Sequence, residues 1–163
     1  MICAAFSARA ILPNERLFDP AIRPAEINDA AALAQLMCEL GYETTKSEMQ
    51  MRLEWTATDE RLRTFVAVCD AQVCGMIGTV TYPSYEHNDP SGRIVALVIL
   101  RTMRRRGIGR ALIATVEEDF AQRGIRRIAL NTQLAREDAH KFYESLGYER
   151  NGWRFVKQLS VRD

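Results

Sequence analysis

Arg104, Arg105, Arg106, Gly107, Ile108, Gly109 and Arg110 follow one another without interruption, and no other stretch of the chain is so chemically pointed. Guanidinium groups are planar, permanently charged and matched in shape to phosphate oxygens. The glycines at 107 and 109 let the backbone turn tightly and approach a ligand closely. An apolar, periodic segment follows directly and reads as a helix. Its first turn presents backbone N–H groups with no partner inside the helix, and these favour an anion. Cations, close backbone and a helix start together make a cradle for a diphosphate. Neither G-x-x-x-x-G-K-[ST] nor G-x-G-x-x-G occurs, so the cradle is not of the Walker or the dinucleotide kind.

The flanking elements must position this cradle. Before it, residues 93–100 form an almost unbroken β-rich apolar run, which predicts a strand covered on both faces. After it, residues 109–123 read as a helix with Leu112, Ile113, Val116 and Phe120 on one face and Gly124 past its end. Residues 126–132 predict a strand, and residues 136–146 a helix aligning Ala139, Phe142, Tyr143 and Leu146 ahead of Gly147. Residues 153–159 predict a last strand. Upstream, Ala21, Ile22 and Arg23 form a short strand candidate ended by Pro24. A helix capped by Asn28 then places Leu33, Leu36, Met37 and Leu40 on one face and stops at Gly41. Ser47 with Gln50 makes a capping box for a second helix through Trp55. Residues 64–69 and 73–82 pair as a hairpin about Asp70 and Ala71, and residues 82–92 form a loop. The order β-α-α-β-β-β-α-β-α-β predicts an α/β fold in which helices flank one mixed, mostly antiparallel sheet. Residues 1–19 show no clean period and read as an N-terminal extension to a domain over residues 20–163.

Composition sets bounds on the rest. A chain of 163 residues, 47% hydrophobic and 26% charged, fits one soluble globular domain. A net charge of +1 provides no overall field for nucleic acid, so any positive site is local. No apolar run approaches a membrane span, and no basic region precedes the first apolar stretch, so neither a membrane segment nor a signal peptide is expected. Cys3, Cys38, Cys69 and Cys74 include no C-x-x-C pair; they read as free thiols in a reducing, cytoplasmic setting, with Cys38 and Cys69 packed in the core. His87 and His140 are the only imidazoles and show no ligand spacing, so no metal is expected.

Two blocks carry a family resemblance. Arg104, Gly107 and Gly109 occupy the fixed positions of Q/R-x-x-G-x-G/A. Residues 140–148, His-Lys-Phe-Tyr-Glu-Ser-Leu-Gly-Tyr, resemble A-x-x-F-Y-x-x-x-G-F/Y. In this order, with a helix and a strand between them, they resemble the GNAT superfamily of N-acetyltransferases over about residues 20–159. The resemblance implies acetyl-CoA as acetyl donor. It implies that pantetheine lies along the strand before the cradle, against the backbone of Leu97, Val98 and Ile99, with the Ile99 N–H stabilising an oxyanion. It implies that residues 104–110 hold the diphosphate, that Asn131 meets the cofactor from the facing strand, and that Tyr143 is the general acid. A phenol of pKa about 10 suits a leaving thiolate whose thiol has a pKa of about 8.5.

The sequence departs from the family pattern twice. Ala96 stands where many relatives carry a glutamate base, which leaves Glu43, Glu86, His87 and Asp89 as replacement candidates. Arg136 stands where many carry an asparagine. The segment from Arg136 through Lys157 resembles a subgroup around the aminoalkylphosphonate and aminoglycoside acetyltransferases, which implies a small-molecule primary amine as acceptor. Selectivity is then expected in the 41–47 and 82–92 loops, and a homodimer by family habit. A catalytically silent acyl-CoA-binding module and an RNA-binding protein are the alternatives.

Overall fold

The computed structural model describes residues 20–159. The N-terminal extension read over residues 1–19 lies outside them, as does Cys3. The sheet is built around a hairpin. Strands β2 (Leu62–Cys69) and β3 (Gln72–Tyr82) pair antiparallel about Asp70 and Ala71. Both turn residues adopt positive φ, 50° and 62°, as a two-residue hairpin turn of this hand requires. Strand β1 (Ala21–Pro24) pairs with β2, and β4 (Ser91–Ile99) pairs with β3, all antiparallel. Strand β5 (Ile128–Leu130) joins β4 in parallel, giving the order β1-β2-β3-β4-β5.

Strand alternation sends neighbouring residues to opposite faces. Ala67, Ile77 and Ile94 face helix α3 (Ile108–Gln122), where Leu112, Ile113, Val116 and Phe120 are fully buried. Val66, Met76 and Val98 face helices α1 (Ala30–Leu40) and α2 (Lys46–Ala57), which bury Leu33, Leu36, Met49 and Leu53. Helix α4 (Glu137–Glu144) lies against the α3 side through Phe142 and Tyr143. The mixed α/β architecture expected from the element order is therefore present through α4.

The helix starts differ from expectation in detail. Asn28 does not cap α1; it lies in a 3-10 turn, Ile27–Asp29. There the Asp29 carboxylate accepts the Glu26 N–H at 2.8 Å and both Arg23 terminal nitrogens at 2.7 and 2.8 Å. Helix α2 begins at Thr45, not Ser47. The Thr45 hydroxyl accepts the Glu48 N–H at 3.2 Å, and the Glu48 carboxylate accepts the Thr45 N–H at 2.7 Å. Both Thr45–Glu48 and Ser47–Gln50 have capping-box spacing. The former puts a charged acceptor at the positive end of the helix, and a charge-assisted bond is the stronger one.

Two expectations fail outright. Residues 151–159 have no regular structure and are exposed, so the last strand, over 153–159, is not formed. Their composition favours extended chain, but a strand needs a partner, and β5 pairs only with β4. The free-thiol reading of the cysteines fails as well, although Cys69 does pack in the core. Cys69 and Cys74 are joined by a disulfide across the end of the β2–β3 hairpin, with Cα atoms 6.1 Å apart. Hairpin pairing brings them together, which spacing alone does not reveal. Among the described residues only Cys38 is a free thiol, and it is exposed, not packed in the core.

Candidate active site

Strand β4 has two neighbours but keeps them for different lengths. It pairs with β5 only from Gly92↔Ile128 to Ile94↔Leu130. It stays paired with β3 as far as Ile99↔Gly75. Pairing with β5 therefore stops at Ile94, and the edge of β4 beyond it is left without a strand partner on that side, a gap V-shaped in its pairing pattern. The Leu100 N–H donates to the Cys74 carbonyl at 2.9 Å, so Leu100 faces β3. By alternation the backbone of Val98 also faces β3, and the backbones of Leu97 and Ile99 face the gap. Val98 thus presents no backbone group there; its side chain is buried on the α1 face.

Residues 104–110 follow at the wide end of this gap. A 3-10 turn, Arg101–Met103, leads into them, and Arg105 (φ 62°) and Gly107 (φ 82°) both take left-handed backbone. The first bond back along α3 runs from the Ala111 N–H to the Gly107 carbonyl, 3.0 Å. The N–H groups of Ile108, Gly109 and Arg110 precede that ladder and are available to an anion. A Cβ on Gly107 would meet nothing within 4 Å, so the backbone here borders open space. Gly109 has the opposite reason for being glycine: a Cβ there would lie 3.2 Å from the Phe142 ring. The two sequence blocks thus touch, glycine against aromatic. Ile108 is buried, and Arg104, Arg105, Arg106 and Arg110 are exposed around the turn. Arg105 lies 3.8 Å from Asp138 in the first turn of α4. The N–H groups without intrahelical partners, the open space at Gly107 and the surrounding guanidinium groups fit a diphosphate, and the gap beside them fits an extended amide chain.

Tyr143 sits on α4, partly buried, with its ring edge-on to Phe142 and Tyr148 at centroid distances of 5.2 and 5.8 Å. Burial pushes its phenol above the usual tyrosine range, and the charge of Arg136 offsets this in part. The group therefore stays protonated as a donor at neutral pH. Arg136 precedes α4 and donates to the Leu40 carbonyl at the end of α1, 2.9 Å. Asn131 is exposed on the first residue past β5, on the arm facing β4. Next to it, the Thr132 hydroxyl is buried without a hydrogen-bond partner.

The replacement bases are not gathered with these groups. The loop carrying Glu86, His87 and Asp89 enters β4 behind the vertex of the V, at the opposite end from the cradle. Asp89 is moreover paired with Arg127 at 2.6 Å, which holds its carboxyl below the usual range. Acceptor selectivity expected from the 82–92 loop meets the same obstacle of placement. Glu43 is exposed between α1 and α2, three residues from Leu40. Ala96 pairs with Gly78 and packs toward α1.

One residue escaped the sequence reading. Glu39 accepts the Arg101 N–H at 2.8 Å and lies 3.3 Å from the Arg104 terminal nitrogen. A carboxylate in the last turn of a helix opposes the helix dipole, and that misplacement was the available signal.

The family model described as Acetyltransferase (GNAT) family matches residues 30–148. The chain belongs to the GNAT acetyltransferase family. An aminoalkylphosphonate N-acetyltransferase of Salmonella typhimurium is 32% identical to this acetyltransferase over 143 residues, covering 85% of this chain and 90% of the relative. With that relative, the family places the chain among the N-acetyltransferases, whose acetyl donor is acetyl-CoA. A GNAT acetyltransferase structure from Staphylococcus aureus superposes with a TM-score of 0.74 at 26% identity, covering 86% of this chain and 98% of the other. An aminoglycoside acetyltransferase from an uncultured soil metagenomic sample, solved with trehalose, shares the fold at a TM-score of 0.74 and 19% identity, with coverage of 86% and 97%. Among the described residues, no helix of this acetyltransferase is long and apolar enough to cross a membrane, and no group of three or more side chains could hold a metal ion.

Proposed function

We propose that this N-acetyltransferase moves the acetyl group of acetyl-CoA to a primary amine of a small molecule, by direct attack in a ternary complex with Tyr143 as general acid. The observation that carries the reading is the V between β4 and β5, which ends at the Gly107 turn with α4 alongside. Residues 104–110 would hold the diphosphate through N–H groups without intrahelical partners and guanidinium charge, and the backbones of Leu97 and Ile99 would pair with pantetheine. Asn131 would meet the cofactor from the β5 arm. The thioester supplies an activated acetyl group. An N–H of β4 facing the gap would stabilise the oxyanion, the Tyr143 phenol would protonate the departing thiolate, and the proton lost by the amine would return through water to the tyrosinate.

The Salmonella relative makes aminoalkylphosphonates the first acceptor class to test. The end of α1 and the 41–45 loop would meet the acceptor, because Arg136 ties that end to α4. Homodimer formation rests on the family resemblance alone; the cytoplasmic location rests on reading the cysteines as free thiols, and the Cys69–Cys74 disulfide withdraws that support. Ala96 favours a second reading, an acyl-CoA-binding module without turnover, since β4 carries no carboxylate at that place.

Thiol release from acetyl-CoA over a panel of aminoalkylphosphonates, aminoglycosides, polyamines and amino acids separates the two. Turnover on a small amine, diminished by Tyr143→Phe, is the expected result. Tight cofactor binding with no turnover on any amine overturns the enzyme mechanism and leaves the binding module.

A further inference from the structure

Arg104 belongs to the 104–110 run, yet its side chain is engaged by the end of β4 and by α1. Its Nε donates to the Ile99 carbonyl at 3.1 Å, and its Nη2 reaches Glu39 at 3.3 Å. The Ile99 carbonyl is one of the backbone groups that face the gap, as the Leu100–Cys74 bond establishes. The guanidinium therefore sits on the gap-facing edge of β4 at the entry to the V, anchored by the Ile99 carbonyl and, on the α1 side, by a carboxylate. Glu39 is itself held in place, since the same oxygen accepts the Arg101 N–H at 2.8 Å.

We infer that Glu39 is a positioning residue that latches Arg104 across the entry to the pantetheine gap and so sets the affinity for the acetyl donor. The inference rests on reading residues 104–110 as the diphosphate cradle. A pantetheine amide pairing with Ile99 competes with Arg104 for the same carbonyl. The guanidinium must then leave Ile99, and the diphosphate next to it is the stronger partner. Its contact with Glu39 opposes that move, because the carboxylate holds the terminal nitrogen in a charge-assisted bond. Glu39 thus acts on cofactor entry and not on the acetyl transfer itself.

Glu39→Gln isolates the latch. The amide oxygen still accepts the Arg101 N–H, while the charge that retains Arg104 is gone. Two donors are compared by calorimetry on the whole chain: acetyl-CoA, and acetylpantetheine, which has no phosphate. Release of the latch tightens both, by about tenfold for the loss of one charge-assisted bond. No gain for either donor, or a loss, overturns the latch. A gain for acetyl-CoA alone also overturns it, because only repulsion between Glu39 and the diphosphate has then been removed. Glu39→Asp, which keeps the charge but shortens the reach to Arg104, gives the same test should the glutamine variant fold poorly. The cradle is judged separately in the wild-type protein. If acetyl-CoA binds no more tightly than acetylpantetheine, the cradle reading falls and the latch falls with it.

Discussion

At Gly107 the backbone is left-handed and the space beside the Cα is open, so any side chain meets strain from its own backbone and then projects where the proposed diphosphate would lie. Gly107→Ala is expected to cost about 1 kcal/mol of stability from φ alone. Gly107→Glu adds an anion at that spot, so the expected result is loss of measurable acetyl-CoA binding in a protein that still melts cooperatively; unchanged affinity sinks the cradle. For Tyr143→Phe, a kcat reduction of about a hundredfold with little change in the acetyl-CoA KM is the mark of a proton donor. Burial raises the Tyr143 phenol, so in the wild type its loss of a proton should not produce a falling limb in the pH–rate profile below about pH 10. The same raised pKa acts on folding. The preference for the neutral phenol contributes fully below the unfolded tyrosine pKa of about 10 and is lost as pH rises through the folded value. The tight turn at Gly107 was readable from residue type and spacing, whereas Tyr143 entered through the family resemblance. Glu39 was not readable, because its partners lie more than sixty positions away, in a segment whose turn only the fold brings to the end of α1.

Between elements, β4 meets α3 closely at Gly92. A Cβ added to Gly92 would lie 2.7 Å from the ring of Phe120, which is fully buried and has no room to yield. Gly92→Ala should therefore destabilise by about 1–3 kcal/mol, seen as a lower Tm. The join between β1 and the first helix gives a second prediction. The Arg23 hydrogen bonds hold the Asp29 carboxyl below its usual range, with a smaller contribution from the Glu26 N–H. Asp29 therefore contributes stability above the unfolded aspartate pKa of about 3.9, and that contribution is lost as pH falls through the folded value. Asp29→Asn is expected to cost about 1–2 kcal/mol at pH 7 in denaturant titrations, and the difference should shrink near pH 3. Element type was legible wherever apolar period was strong, as in α1, α3 and β4. Boundaries shifted where two signals of equal spacing competed, as at Thr45 and Ser47.

For the whole molecule, pattern supported the layer order and the mixed sheet, but not what depends on partners. Residues 153–159 have a strand's composition and no neighbour to pair with; Cys69 and Cys74 have no motif spacing and are joined by the hairpin between them. The splay of β4 from β5 belongs to the same class, since nothing in either strand announces where pairing stops. That splay has a consequence for solvent exchange. β4 runs through the interior, yet only alternate amides along its last residues are bonded to a neighbouring strand. In deuterium oxide the amides of Val98 and Leu100 should exchange slowly, while those of Leu97 and Ile99 exchange orders of magnitude faster. A ligand that supplies the missing strand would erase this odd–even rhythm, so a two-residue alternation in one exchange map would report occupancy of the gap directly, without any chemistry taking place.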